Sequence, residues 1–340
     1  MRRFTLPAIG LPILLALGAI ALGMAGCGDD KTTLTVYSGR EEEIVAPLFE
    51  RFEKKTGIAV QVRYGDSTEL AAQILEEGDN TPADVFFAQD AGSLGSVGDR
   101  LAKLPAASLD RVDAAYRDPG GHWVGTSGRV RVVAYNTDKY READLPDSVL
   151  GFTDAKFRDR VGYAPTNASF QAFVTAMRLS LGEDATRAWL RALKDNGAKS
   201  YEKNLQIVEA IASGEIDVGL VNHYYLALLK EEQPDAPVAN HFLKPGDPGA
   251  LVNVAGVGVV AGGSRVEEAN RFVEFLLTDE GQRFYSEEAD EAEYPLVAGI
   301  PAKAGLPPLS SLRGPDVPLE SLGKELEKTL KLLSEVGLTA

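Results

Sequence analysis

Leu34-Thr-Val-Tyr-Ser38, Glu41 to Thr56, Ile58-Ala-Val-Gln-Val-Arg-Tyr64, Asp66 to Glu77 and Asp84-Val-Phe-Phe-Ala88 follow one another with short joins. The first, third and fifth are apolar or alternating runs of strand length. The second sets Ile44, Leu48, Phe49 and Phe52 on one stripe at helical spacing. Gly57 supplies a residue suited to ending that helix. Strand, helix, strand, helix, strand with joins this short predicts right-handed parallel crossover units and therefore an α/β sheet.

Further along, a second stretch of the same class begins near Gly125. Val130-Arg-Val-Val-Ala-Tyr135, Val161-Gly-Tyr-Ala164 and Ile216 to Val221 read as strands. Thr166 to Leu181 reads as a helix with Phe170, Phe173, Met177 and Leu181 at helical spacing. Ala185 to Asn196 and Asn204 to Ser213 are further helices. Leu251 to Ala261 is an apolar strand rich in small residues. Val266 to Leu277, Glu280 to Ser286 and Leu319 to Glu335 complete the helices. There is no internal repeat. Two α/β stretches predict two lobes, with Val130–Tyr135 and Leu251–Ala261 as the crossing strands. Ligands of open α/β sheets sit beyond the carboxyl ends of the strands, which puts a site between the lobes.

Upstream, Arg2 and Arg3 precede an apolar run from Leu6 to Leu22, then Met24-Ala-Gly-Cys27. A basic start, an apolar core and small residues before the break make a secretory signal. Ending on Ala-Gly-Cys, it resembles a bacterial lipoprotein signal: residues 1–26 removed, Cys27 lipidated, 27–33 a tether, and the body extracytoplasmic and held to the membrane. A retained anchor is the alternative, although Pro7, Gly10, Pro12 and Gly18 interrupt a run already marginal for a span of about 20 apolar residues. Cys27 is the only cysteine. The body therefore has no intramolecular disulfide, no cysteine zinc site and no thiol nucleophile. His122, His223 and His241 share no ligand spacing. The formal charge of −15 argues against nucleic acid as a partner. No nucleophile elbow, zinc-protease helix or glycine-rich nucleotide loop is present, so the expectation is a binding protein and not an enzyme.

Two short runs carry chemistry. Ile216-Asp-Val-Gly-Leu-Val-Asn-His-Tyr-Tyr225 ends a strand on paired tyrosines. Phenolates are hard oxygen donors suited to Fe3+. With a free pKa of about 10, a phenol ligates only when a strongly charged ion displaces its proton. Neighbours on a helix point about 100° apart, so both reach one ion only where a helix has barely begun and faces a cleft. An aromatic pair packed with its hydroxyls in water is the alternative. In the second run, Pro165-Thr-Asn-Ala-Ser169 joins a strand to a helix, with Thr166 or Asn167 as N-cap. Free backbone N–H groups there, with the Asn167 and Ser169 side chains, can cradle carbonate or phosphate. Arg129 and Arg40 could balance the charge.

Leu34-Thr-Val-Tyr-Ser-Gly39, Pro82-Ala-Asp-Val-Phe86, Ser127 to Tyr135, Val161-Gly-Tyr-Ala-Pro-Thr166, Gly214-Glu-Ile-Asp217, Val221-Asn-His-Tyr-Tyr225, Asp247 to Val252 and Glu293-Tyr-Pro-Leu296 form an ordered set of runs. That set resembles the bacterial ferric-binding periplasmic proteins, the iron receptors of ATP-driven importers. The resemblance implies a two-lobed periplasmic-binding-protein (Venus flytrap) fold, each lobe a mixed sheet flanked by helices, with two hinge strand crossovers. On that pattern residues 34–131 plus 255–303 form one lobe and 132–254 plus 304–340 the other. It implies Fe3+ on Tyr224 and Tyr225 with a synergistic anion such as carbonate or phosphate. The family's metal-binding histidine position holds Glu41 here, and its ligating glutamate position holds Gln89, followed by Asp90. Its anion residues fall on Thr166, Asn167, Ala168, Ser169, Asn204 and Asn222, with Arg129 nearby. The implied partners are an ABC-type permease and its ATPase, with a monomeric receptor. The rival within the fold is a receptor for an oxyanion, phosphonate, polyamine or sugar.

Overall fold

The computed structural model describes residues 32–288 and 292–339; the signal, Cys27 and most of the tether lie outside these. Strand β1 (Thr33–Ser38) pairs in parallel with β2 (Ala59–Tyr64) and with β3 (Val85–Ala88). Helices Glu42–Thr56 and Ser67–Glu77 make the two crossovers. The first closes on Gly57 at φ 74°, where a side chain would be strained. The second opens on Asp66, whose carboxylate accepts from the Thr68 and Glu69 amides. The predicted stripe packs inward: Phe49 and Phe52 lie 5.5 and 5.2 Å, ring to ring, from Phe272.

Strand β4 (Trp123–Asn136) runs for 14 residues, more than twice the length its apolar part predicts. The cause is its first half, Trp-Val-Gly-Thr-Ser-Gly-Arg, whose glycines argue against a strand. Here they admit neighbours: a Cβ on Gly125 would sit 2.7 Å from both a Leu296 methyl and the Tyr116 carbonyl. After β5 (Val161–Tyr163), β6 (Lys199–Ser200), β7 (Val218–Asn222) and β8 (Val238–His241) comes β9 (Val252–Val259), which enters antiparallel between β3 and β4. The first half of β4 pairs with β9 and the second half with β7 and β8. Short β10 (Tyr294–Pro295) pairs with β4 at Ser127 and Gly128. The main order is β2-β1-β3-β9-β4-β7-β5-β6. Parallel units thus occupy both ends, and the two long antiparallel strands join them.

One apolar cluster gathers β1, β3 and the Phe272 helix, and a second gathers Phe152, Phe157, Phe170, Phe173 and Trp189. A third lies around Ile207, Ile211, Val221 and Tyr294. The expected helix Leu319–Glu335 is two helices, Ser321–Lys324 and Leu326–Glu335. Leu322 belongs to the first cluster and Leu332 and Leu333 to the second, and one straight rod does not serve both. Likewise Glu280–Ser286 is a short helix, Asp279–Arg283, continued by a π turn. Among the described residues no helix is long and apolar enough to cross a membrane.

Candidate functional site

Strand β7 ends at Asn222, and the next helix is Tyr225–Glu232 with Tyr224 at its N-cap. Asn222 does not cap this helix, which starts too late for it to reach. Its side chain turns inward: Oδ1 accepts from Arg131 Nη1 at 3.2 Å and Nδ2 donates to the Tyr224 hydroxyl at 3.4 Å. The two tyrosine hydroxyls lie 3.4 Å apart, with ring centres 4.5 Å apart and planes at 34°. Such convergence of adjacent residues is available only in the first turn. Tyr224 is buried and Tyr225 half-buried.

Beside them, Asn167 caps the helix Ala168–Leu181. Its Oδ1 accepts from the Ser169 amide at 3.0 Å and the Ser169 hydroxyl at 2.6 Å. Behind the turn, fully buried Asn204 donates to Asn167 Oδ1 and to Ser169 Oγ, both at 3.1 Å. Asn204 therefore fixes the turn from its far side.

These pieces enclose a cavity of about 80 Å³. Gln89, Asp90 and Asn253 line one side; Asn167, Ala168, Ser169, Asn222, Tyr224 and Tyr225 line the other, with Arg129 and Arg131 between. Glu41 and Thr166 are exposed and outside this lining; Glu41 stands at the start of its helix without a side-chain cap. The Asp90 carboxylate is engaged by Ser93, from its amide at 2.9 Å and its hydroxyl at 2.7 Å.

Arg131 was not singled out from the sequence. It is 4 % exposed and has no carboxylate at ion-pair distance among the described residues. Nη1 donates to Ser169 Oγ at 3.1 Å and to Asn222, while Nη2 is buried without a hydrogen-bond partner. Burial lowers its pKa from 12.5 to about 10, opposed by the neighbouring tyrosines. A usable signal existed: Arg129 and Arg131 are two apart on a strand, and so project to one face. Arg129 instead pairs with buried Glu293, and its Nη1 donates to the Gln89 carbonyl at 2.7 Å. Among the described residues no three His, Cys, Asp or Glu side chains converge on a possible metal position. The paired tyrosine hydroxyls, with the Gln89 amide and the Asp90 carboxylate, are the hard oxygen donors on this cavity. Two guanidiniums on the cavity also favour bound negative charge.

Residues 79–311 match the family described as bacterial extracellular solute-binding protein. The major ferric iron-binding protein of Neisseria meningitidis serogroup B is 37 % identical over 315 residues, covering 90 % of this chain and 93 % of that one. Iron-bound HitA from Pseudomonas aeruginosa superposes with a TM-score of 0.82 at 35 % identity, covering 90 % of this chain and 99 % of HitA. Trichodesmium IdiA (FutA), in complex with iron and citrate, gives 0.81 at 30 % identity, with 90 % and 100 % covered.

Proposed function

The chain belongs to the bacterial extracellular solute-binding proteins and, among them, to the ferric iron-binding receptors, and from that premise we propose that it captures Fe3+ with a small anion and hands it to an ABC-type importer. The carrying observation is the meeting of the Tyr224 and Tyr225 hydroxyls, 3.4 Å apart, on a cavity that also holds the unpartnered Nη2 of Arg131. In this reading the two phenols lose their protons and bind the ion. The turn Asn167-Ala168-Ser169 and Arg131 hold carbonate or phosphate, with Arg129 adding positive charge. Asn204 and Asn222 fix the side chains that do so, and Thr166 flanks the turn. Gln89 offers an amide oxygen, and Glu41 reaches the ion only when the cleft closes. Ligands from both lobes favour the closed state, the differential affinity that such a shift needs.

The lobes we assign are residues 34–131 plus 255–303 and 132–254 plus 304–340. A lipid on Cys27 tethers the receptor outside the cytoplasm, it acts as a monomer, and it performs no catalysis. Two features weigh against a sugar or polyamine. A cavity of about 80 Å³ is far below the roughly 300–1,000 Å³ usual for organic ligands. Two guanidiniums on its wall repel a polycation. The same arginines suit an oxyanion receptor, in which the tyrosines would only donate hydrogen bonds.

A visible titration of the body from Gly28 onward with Fe3+ and bicarbonate separates the two. The expected result is a phenolate-to-iron band that saturates near one iron per chain and vanishes in the Tyr224→Phe, Tyr225→Phe double variant. Since binding releases protons, the band should fade with acid. A wild type without any band refutes the ferric reading.

A further inference from the structure

We infer that Glu293 is a positioning residue of the ferric site: it holds Arg129 against Tyr224 and Gln89, and so sets where the tyrosine pair and the first-lobe loop stand. The inference rests on the ferric reading above. Glu293 is 0 % exposed and stands just before β10, far in sequence from the cavity strands, after Ala292 at φ 50°. Arg40 grips it with two bonds, Nη1 to Oε1 at 3.0 Å and Nη2 to Oε2 at 3.1 Å. Arg129 Nε donates to Oε1 and Ser127 Oγ to Oε2. Four donors fill the roughly four acceptor directions of a carboxylate, so its orientation is fully determined.

What Glu293 fixes then reaches the cavity by two routes. The Arg129 guanidinium, held at Nε, donates from Nη1 to the Gln89 carbonyl at 2.7 Å and lies 5.8 Å from the centre of the Tyr224 ring. Beside it, His223 accepts from the Val130 amide at 3.2 Å and faces the Ala292 carbonyl with Nε2 at 3.1 Å. Residues 292–293 are therefore tied at two points to the strand–helix junction that presents the tyrosines. A buried ion cluster is poor evidence for stability in itself, because desolvation offsets its attraction; its better-attested use is to select one arrangement. Here the arrangement selected is that of residues on opposite walls of the cavity.

The test loads wild type, Glu293→Gln and Ser127→Ala with Fe3+ and bicarbonate. The readouts are the phenolate-to-iron band position and the pH of half iron loss, with circular dichroism and a melt to establish folding. A residue that only supports the fold would lower the melt and leave the band of the folded protein in place. Glu293→Gln should shift the band, weaken iron binding at least about tenfold and move iron loss to higher pH. Ser127→Ala removes one bond to Glu293 and keeps both ion pairs; it should move the same readouts by about threefold. Should Glu293→Gln fail to fold, Ser127→Ala decides alone. A folded Glu293→Gln with a wild-type band and iron affinity within about twofold overturns the proposal, as would an unchanged Ser127→Ala where it is the deciding variant. A wild type with no band overturns the ferric reading and this inference with it.

Discussion

Replacing Arg131 by methionine should make the iron-free protein no less stable while weakening its affinity for anions. Burial lowers this guanidinium from 12.5 to about 10. At about 1.4 kcal/mol per pKa unit, the folded state carries a cost on the order of 3 kcal/mol at neutral pH, where the group is charged both folded and unfolded. The sign follows: a depressed cation destabilises the fold below about pH 10, and the cost is relieved only as pH rises through that value towards 12.5. Methionine removes the charge and keeps most of the packing on Phe173, whose ring centre lies 5.5 Å from the guanidinium carbon. Against that relief stand the lost cation–π contact and Asn222 Oδ1, left without its donor; together these are worth roughly 1–3 kcal/mol. The net change in the iron-free protein is between about zero and 2 kcal/mol of stabilisation. An anion bound beside Arg131 offsets the burial cost, so the variant should lose about 100-fold in phosphate or carbonate affinity. Calorimetry of the iron-free protein with and without phosphate reads both effects, at roughly 2–4 °C per kcal/mol. A melt that drops by several degrees, together with a wild-type phosphate shift, would refute the reasoning.

Two further outcomes follow from groups around the same cavity. Asn167→Ala removes the cap and an acceptor used by Ser169 and Asn204; unfolding in urea should show a loss of about 1–2 kcal/mol, most of it recovered by Asn167→Ser. A loss below about 0.5 kcal/mol would speak against this role. Burial holds His223 down from 6.5 to about 4. Its contribution to stability is complete above about pH 6.5 and is lost as pH falls towards 4. Between pH 7.5 and 5 the wild type should lose about 2 kcal/mol more than His223→Gln; parallel losses in the two proteins would count against it.

What was legible followed from how local the cause is. The parallel sheet around β1 was readable because alternation and one helix stripe are properties of neighbours. The tyrosine pair and the Asn167 turn were readable for the same reason: each is a strand end meeting a helix start. Strand β4 was read too short because Gly125 and Gly128 look like breakers, and only Tyr116, Tyr294 and Leu296, arriving from elsewhere, explain them. The terminal helix was read as one because its periodicity continues through Glu325, while the break comes from two separate clusters claiming Leu322 and Leu333. Arg131 could have been noticed beside Arg129 from strand alternation. Glu293 could not: its bonds to Arg129 and Arg40 span 164 and 253 residues.

That last separation also bears on when the protein can fold. Strand β9 lies between β3 and β4, so the first sheet is open at its middle until residues 252–259 exist. The carboxylate that neutralises Arg40 appears 253 positions after it. At roughly 5–20 residues per second of synthesis, that is a delay of about 10–50 s. During it the early strands have no complete partner set and Arg40 has no counter-charge from Glu293. A nascent chain with this strand order cannot complete its sheet, and so remains incompletely folded, until β9 has been made. That is the state in which a polypeptide can be threaded through a membrane before it acquires its shape on the other side.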